Sequence, residues 1–106
     1  MLSCGLFVRL EAKPGKEEEL AAFLRQGLQM ANQETTTPLW FALRLNASTF
    51  AIFDAFRREP DRQAHLDGPI AKALIAQAPE LLASMPRIER ADILGAKVSH
   101  ELRDSH

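Results

Sequence analysis

Apolar and polar residues alternate at the start of the chain and then change to a helical spacing. Within residues 2–12 apolar side chains occupy every second position, the period of a strand with one buried face. Pro14 and Gly15 then favour a turn, because proline fixes φ and glycine tolerates positive φ. Across residues 16–32 apolar side chains recur three and four positions apart, which predicts an amphipathic helix.

The second half of the chain repeats this change from strand to helix. Residues 39–45 and 49–57 are rich in aromatic and apolar side chains and flank a short polar connection, which predicts an antiparallel hairpin. Helical segments are expected to begin near Glu59 and at Pro69, and Pro79 is expected to kink or restart the second one. Residues 87–98 predict a last strand.

The element order is therefore β-α-β-β-α-β, the ferredoxin-like α+β arrangement of an antiparallel sheet with its helices on one face. We expect a single domain over residues 1–98 and a polar C-terminal tail over residues 99–106. Because this fold serves many unrelated functions, it does not itself indicate a reaction.

The two faces of the hairpin predict a partner. With Ala47 and Ser48 at the tip, Trp40 and Phe53 share one face, which no helix of this fold covers. A large exposed aromatic surface on a small domain is typical of an interface, so we predict a homodimer formed by packing sheet on sheet. The alternative is a few scattered surface aromatics, which are common.

Asp54 lies on the opposite face, which is otherwise apolar and carries Phe41 and Phe56 in this register. A carboxylate there needs hydrogen bonds, an ion partner or a raised pKa. We interpret Asp54 as a general base or a substrate acceptor in a cavity between sheet and helices. It could instead cap a helix or pair with Arg62, and a different hairpin register would place it on the other face.

His65 is the histidine of the predicted helical region, on a segment expected to fold back over the third strand. Its near-neutral pKa suits proton transfer, and Asp54 could orient it; equally, it could be a partly buried histidine bonded to a backbone carbonyl. Trp40 is more typical of a dimer or core aromatic than of a substrate platform. Cys4 is more typical of a small core residue than of a nucleophile.

Composition excludes several classes of function. The chain has 106 residues, a net charge of −1 and one cysteine, so nucleic acid, an anionic membrane surface and an intramolecular disulfide are not predicted. Its apolar runs are shorter than the roughly 18 residues of a membrane span, and the first residues do not resemble a signal peptide, so we expect a cytoplasmic protein. The sequence lacks a Gly-rich phosphate loop, HExxH and CxxC, so neither a nucleotide nor a metal is expected.

Three segments of the sequence, together with the opening strand and turn, resemble the antibiotic biosynthesis monooxygenase family over about residues 6–98. The segments are Trp40-Phe41-Ala42-Leu43-Arg44-Leu45, Thr49-Phe50-Ala51-Ile52-Phe53-Asp54-Ala55-Phe56 and Arg62-Gln63-Ala64-His65-Leu66.

The resemblance implies a dimeric α+β barrel and an oxygenase that works without flavin, haem or metal. In such enzymes a hydroquinone or phenol is deprotonated, its anion passes an electron to oxygen, and a quinone results. By position His65 matches the family's histidine, and Asp54 stands where many members carry Glu. The candidates to wall the substrate pocket are Trp40, Phe41, Phe53 and Phe56.

Two features limit the resemblance. The second strand carries Trp40 and Phe41 instead of the tyrosine common in quinol oxidisers, and the chain has no tyrosine. A haem-degrading branch has its iron-ligating histidine on the long second helix, where this chain has Leu74, Ile75 and Ala76, so haem degradation is not predicted.

The alternative function is a non-catalytic dimeric module that binds a small ligand or is associated with stress, with Asp54 in a structural role.

Overall fold

Four strands and three helices make up the fold in this computed structural model, which describes residues 1–99. The order confirms the β-α-β-β-α-β prediction, with the second helical region divided at Gly68. Residues 100–106 of the predicted tail lie outside the described part. The elements are β1 (Cys4–Glu11), α1 (Glu17–Asn32), β2 (Leu39–Arg44), β3 (Thr49–Phe56), α2 (Glu59–Leu66), α3 (Pro69–Leu81) and β4 (Arg87–Asp92).

The strands form one antiparallel sheet in the order β2-β3-β1-β4. β1 and β3 occupy its centre, where Leu6 and Asp54 lie directly opposite each other and are both almost fully buried. The helices pack on the face that carries these two residues. This arrangement confirms the predicted α+β, ferredoxin-like fold.

The helices begin where the sequence predicts. Gly15 has φ +85°, the left-handed conformation that glycine adopts easily, and α1 follows with three glutamates in its first turn. α3 continues through Pro79 to Leu81, so the expectation that this proline restarts the helix is wrong. The buried side chains of Ala78 and Leu81 hold the last turn against the core. Within residues 1–99, no helix combines the length and apolarity needed to cross a membrane.

The hairpin register differs from the predicted one by a single residue. Arg44 pairs with Phe50 and Phe41 with Phe53. The cause is Asn46, whose side-chain Oδ1 accepts hydrogen bonds from the backbone N–H groups of Ser48 (3.1 Å) and Thr49 (2.9 Å). An Asn side chain that replaces a backbone group in a turn changes the length of the connection, and so shifts the pairing of the strands.

This shift exchanges the faces of Trp40 and Phe41. Trp40 lies opposite Asp54 on the helix side, with its ring against Gly27 of α1, whereas Phe41 lies opposite Phe53 on the uncovered side. The prediction that Trp40 and Phe53 share a face is therefore wrong. Side chains alternate along a strand, so a slip of one residue moves every side chain of β2 to the other face.

β4 is shorter than predicted. Its last ladder pair joins Asp92 to Cys4, the first residue of β1, and one further bond runs from the Ile93 N–H to the Ser3 carbonyl at 2.9 Å. The expected strand over residues 93–98 does not form.

The core consists of two clusters on the helix side of the sheet. The larger lies under α1 and α3, and a smaller one contains Cys4, Leu6 and Phe56, with Leu66 of α2 packed against it. Cys4 is buried with a free thiol, as the sequence indicated for a small core residue. The smaller cluster carries α2 and so positions His65 over the sheet.

Replacing Asn46 with Ala removes both hydrogen bonds that set the hairpin register. We expect the free energy of unfolding to fall by about 1–2 kcal/mol, the usual cost of losing a turn of this kind. Urea denaturation measures the change, with Ala47→Ser in the same loop as control. An unchanged midpoint for Asn46→Ala would contradict this account of the register.

Candidate active site

The site is built around Asp54, a carboxylate on the central strand β3. Only 1% of Asp54 is exposed, and its neighbours in register are Leu6 on β1 and Trp40 on β2. Asp54 faces the helices, as predicted, because its position on β3 is set by pairing with β1. Burial raises its pKa, and its interaction with His65 only partly offsets this.

His65 reaches Asp54 from α2. Its Nε2 lies 2.9 Å from Oδ2 of Asp54, and the residue is 7% exposed. The structure thus brings together the two residues that the sequence proposed as a pair. Arg62 does not pair with Asp54: it bonds Glu59 and donates to the carbonyl oxygen of Gly5 at 3.0 Å.

Glu34 holds the other side of the imidazole and was missed by the sequence analysis. Its Oε1 lies 2.6 Å from Nδ1 of His65 and also accepts a hydrogen bond from Oγ1 of Thr37 at 2.7 Å. His65 therefore contacts carboxylates on both sides, and the alternative of a backbone carbonyl partner is wrong. Glu34 lies in the polar connection between α1 and β2, 31 residues before His65, and no local pattern connects the two.

Two carboxylates determine the protonation of His65. An ionised carboxylate only accepts hydrogen bonds, so an imidazole between two of them is stabilised with both nitrogens protonated. Burial alone would lower the pKa of His65, but its contacts with Asp54 and Glu34 outweigh this and raise it. The ring also packs against Phe56, with centroids 5.4 Å apart.

Asp54 keeps unused capacity to accept hydrogen bonds. Within residues 1–99, neither of its carboxylate oxygens has a hydrogen bond that meets the geometric criteria. Nε2 of His65 lies 2.9 Å from Oδ2, so this oxygen faces the imidazole, whereas Oδ1 has no hydrogen-bond partner within residues 1–99. A buried carboxylate without hydrogen-bond donors destabilises the folded protein unless a ligand or solvent supplies a donor.

A cavity of about 120 Å³ lies beside Asp54 and His65, between the sheet and helices α2 and α3. Apart from these two residues its lining is aliphatic. A cavity of roughly 150 Å³ holds benzene, so this one is close to the size of a single aromatic ring. The aliphatic lining residues are Leu6, Val8, Ile52, Leu66, Ala71, Leu74, Ile75 and Ile88.

The four predicted pocket aromatics do not line this cavity. Phe41 and Phe53 lie on the opposite face of the sheet from this cavity, Phe41 as a result of the register shift. Trp40 packs against α1, and Phe56 supports His65 from the smaller core cluster. The walls come instead from aliphatic residues.

The three polar residues do not form a metal centre. Within residues 1–99 no group of three or more His, Cys, Asp or Glu side chains is placed to hold a metal ion. Asp54 and Glu34 contact opposite nitrogens of the same ring, so their oxygens and the His65 nitrogens do not converge on one point. The arrangement instead suits the transfer of a proton.

A comparison with solved structures finds a protein of unknown function from Nitrosomonas europaea that is 55% identical to this chain. The match covers 93% of this chain and 96% of that one, with a TM-score of 0.91. No family model matches the sequence, and no curated protein is significantly similar to it.

Other solved structures share the fold at low identity. A "putative antibiotic biosynthesis monooxygenase" from Nitrosomonas europaea is 15% identical with a TM-score of 0.77, and the match covers 87% of this chain and 90% of that one. A protein of the same description from Caulobacter crescentus is 18% identical with a TM-score of 0.74, covering 89% and 92%. The chain therefore has the fold of proteins described as "putative antibiotic biosynthesis monooxygenase".

Replacing Glu34 with Gln removes one of the two charges beside His65 while keeping the shape of the side chain. We expect the pKa of His65 to fall, because a group that raises it has become neutral. An NMR titration of the imidazole measures the change. Glu19→Gln, which removes a carboxylate paired with Lys16 on the surface of α1, is the control and should leave the titration unaltered.

The proton that His65 binds links the stability of the protein to pH. Because the folded pKa of His65 is raised, its contribution to the free energy of unfolding is complete below the ordinary value of about 6.5. It is lost as the pH rises through the folded pKa. The advantage of wild type over Glu34→Gln, about 1–2 kcal/mol at low pH, should therefore shrink at alkaline pH in urea denaturation. A difference independent of pH would contradict this.

Proposed function

We propose that this chain, which belongs to the same family as the Nitrosomonas europaea protein of unknown function, is a monooxygenase that oxidises a small phenol or hydroquinone with O2 and without a cofactor. One observation carries the proposal: a buried carboxylate with free acceptor capacity lies beside a histidine in an aliphatic cavity of single-ring size. The fold shared with the proteins described as "putative antibiotic biosynthesis monooxygenase" supports the same class of reaction.

The first step is removal of the hydroxyl proton by Asp54. A ring hydroxyl in the cavity donates to the free acceptor of the carboxylate, whose raised pKa makes it a stronger base than an exposed aspartate. A phenol has a pKa of about 10, so a stronger base reduces the cost of this transfer. His65, positively charged and lining the same cavity, stabilises the phenolate that forms.

The second step is electron transfer to oxygen. The phenolate gives one electron to O2, and the resulting phenoxyl radical and superoxide combine at a ring carbon. Loss of water from this peroxide leaves a quinone. One oxygen atom of O2 becomes the new carbonyl, and the other leaves as water with the ring hydrogen and the hydroxyl proton. The aliphatic walls exclude water and so protect the reactive anion.

Oxygen uptake with a panel of phenols and hydroquinones tests the reaction. Asp54→Asn should lower kcat/KM by about 100-fold or more, the usual contribution of a general base, and His65→Gln should also lower it. Asp92→Asn, on the exposed strand β4, is the matched control. Rates equal to wild type in the Asp54 and His65 variants would contradict the mechanism. No uptake with any substrate would favour the non-catalytic binding module.

We also propose that two copies of the chain associate through the open face of the sheet, the face opposite the helices that carries Phe7, Phe41, Leu43 and Phe53. Phe41 is 51% exposed there. Arg9 and Arg87 lie directly opposite each other on the same face, next to Glu89. In a dimer with twofold symmetry both copies contribute the same patch. Glu89 of one copy can then approach Arg9 and Arg87 of the other.

Sedimentation velocity at micromolar concentration tests this association. We expect a mass about twice the 11.8 kDa of one chain. Phe41→Glu should raise the dissociation constant of the dimer about 100-fold, because it buries an unpaired charge. Leu28→Glu, a similarly exposed position on α1, should leave it unchanged. A monomeric wild type would contradict the proposal.

A further inference from the structure

We infer that the cavity selects a ring with one polar group, so that its preferred ligand is a phenol with an apolar substituent opposite the hydroxyl rather than a hydroquinone. This inference rests on the proposed function, because it names the substrate class of the same site. It follows from three features of the cavity: its polar end, formed by Asp54 and His65; its aliphatic walls; and its mouth, at Ile75 and Ile88.

The polar end offers one partner to a ligand. Both nitrogens of His65 already face carboxylates, Glu34 at 2.6 Å and Asp54 at 2.9 Å. The carboxylate of Asp54 is buried, lines the cavity and has no well-aligned hydrogen bond among the described residues. A ligand hydroxyl or other donor is therefore bound by Asp54, and the chemistry required of the ligand at this end is a single donor.

The walls offer nothing to a second polar group. Every lining side chain other than Asp54 and His65 is aliphatic. The second hydroxyl of a hydroquinone would leave water and find no partner, which lowers affinity about fivefold or more for a buried hydroxyl. A methyl or methylene group at the same position gains instead from contact with these walls.

The mouth of the cavity is apolar as well. Ile75 of α3 is 50% exposed and Ile88 of β4 is 48% exposed, whereas the other lining residues are buried or partly buried. These two isoleucines therefore mark the opening. A substituent that passes between them stays in contact with apolar surface until it reaches solvent.

The polar end and the mouth lie on opposite sides of the cavity floor. The floor runs from Ile52 and Asp54 on β3, across Leu6 and Val8 on β1, to Ile88 on β4. Neighbouring strands are about 4.8 Å apart, so the floor spans about 10 Å. A single ring fills a cavity of about 120 Å³, so a short chain opposite the hydroxyl extends along the floor toward the mouth.

Calorimetric titration under nitrogen tests the inference without turnover. The ligands are 4-propylphenol, hydroquinone and 4-propylanisole, whose methylated oxygen cannot donate. Each methylene buried at the mouth should tighten binding by up to about fourfold. We expect 4-propylphenol to bind at least about tenfold more tightly than hydroquinone, and 4-propylanisole to bind at least about fivefold more weakly than 4-propylphenol.

A substitution at the mouth of the cavity provides a second test. Ile88→Gln places an amide where the second hydroxyl of hydroquinone would emerge, so the preference for 4-propylphenol over hydroquinone should fall about tenfold. Leu28→Gln, equally exposed but on α1 and away from the cavity, should keep the wild-type preference. Thermal unfolding of both variants checks that they are folded.

The outcomes separate this inference from the proposed function. Tighter or equal binding of hydroquinone, equal binding of the phenol and the anisole, or no binding of any of the three would overturn it. Selective binding of 4-propylphenol with no oxygen uptake in air would support the inference and overturn the monooxygenase proposal. Uptake with hydroquinone alone, accompanied by its preferred binding, would do the reverse.

Discussion

The arrangement of the helix side depends on the burial of one carboxylate. Asp54 lies on the central strand with 1% of its surface exposed, and removing a charged carboxylate from water costs several kcal/mol. α2 folds back so that His65 reaches it, and the smaller core cluster fixes α2 in that position. Glu34 then holds the outer nitrogen of the ring from the α1–β2 connection. Three separate segments of the chain therefore meet to accommodate a single side chain.

This accommodation is incomplete, which distinguishes it from a purely structural ion pair. A buried charge network is generally no more stable than apolar residues of the same volume, and an unsatisfied member makes it less so. Asp54 retains oxygens without aligned partners, although Thr37 and Glu34 show that the fold can supply hydrogen bonds nearby. The carboxylate of Asp54 lines a cavity of ring size. A ligand that donates a hydrogen bond there would remove the free-energy cost of burying the unpaired oxygen. A role in binding or proton transfer explains this better than stability does.

The sequence could predict the elements and the central pair, but not the whole site. Strand and helix periods are local, and an aspartate on an apolar strand face stands out without any tertiary information. Glu34 could not be found this way, because its role depends on a loop meeting a helix 31 residues later. The sequence predicted the wrong sheet faces for Trp40 and Phe41, because the hairpin register is set by the side chain of Asn46 and not by the length of the loop alone. Asp54 kept its predicted face because β3 is also paired with β1.

The pleat of β3 connects the two surfaces of the sheet. Asp54 points to the cavity, while Phe53 and Ala55 on either side of it point to the open face. A partner on the open face would therefore touch the strand that carries the carboxylate without entering the cavity. Its effect on Asp54 would pass through the backbone of a strand already bonded on both edges, to β1 and β2. Because such a central strand has little freedom to shift, association is expected to stabilise the position of Asp54 rather than to alter its contacts with His65.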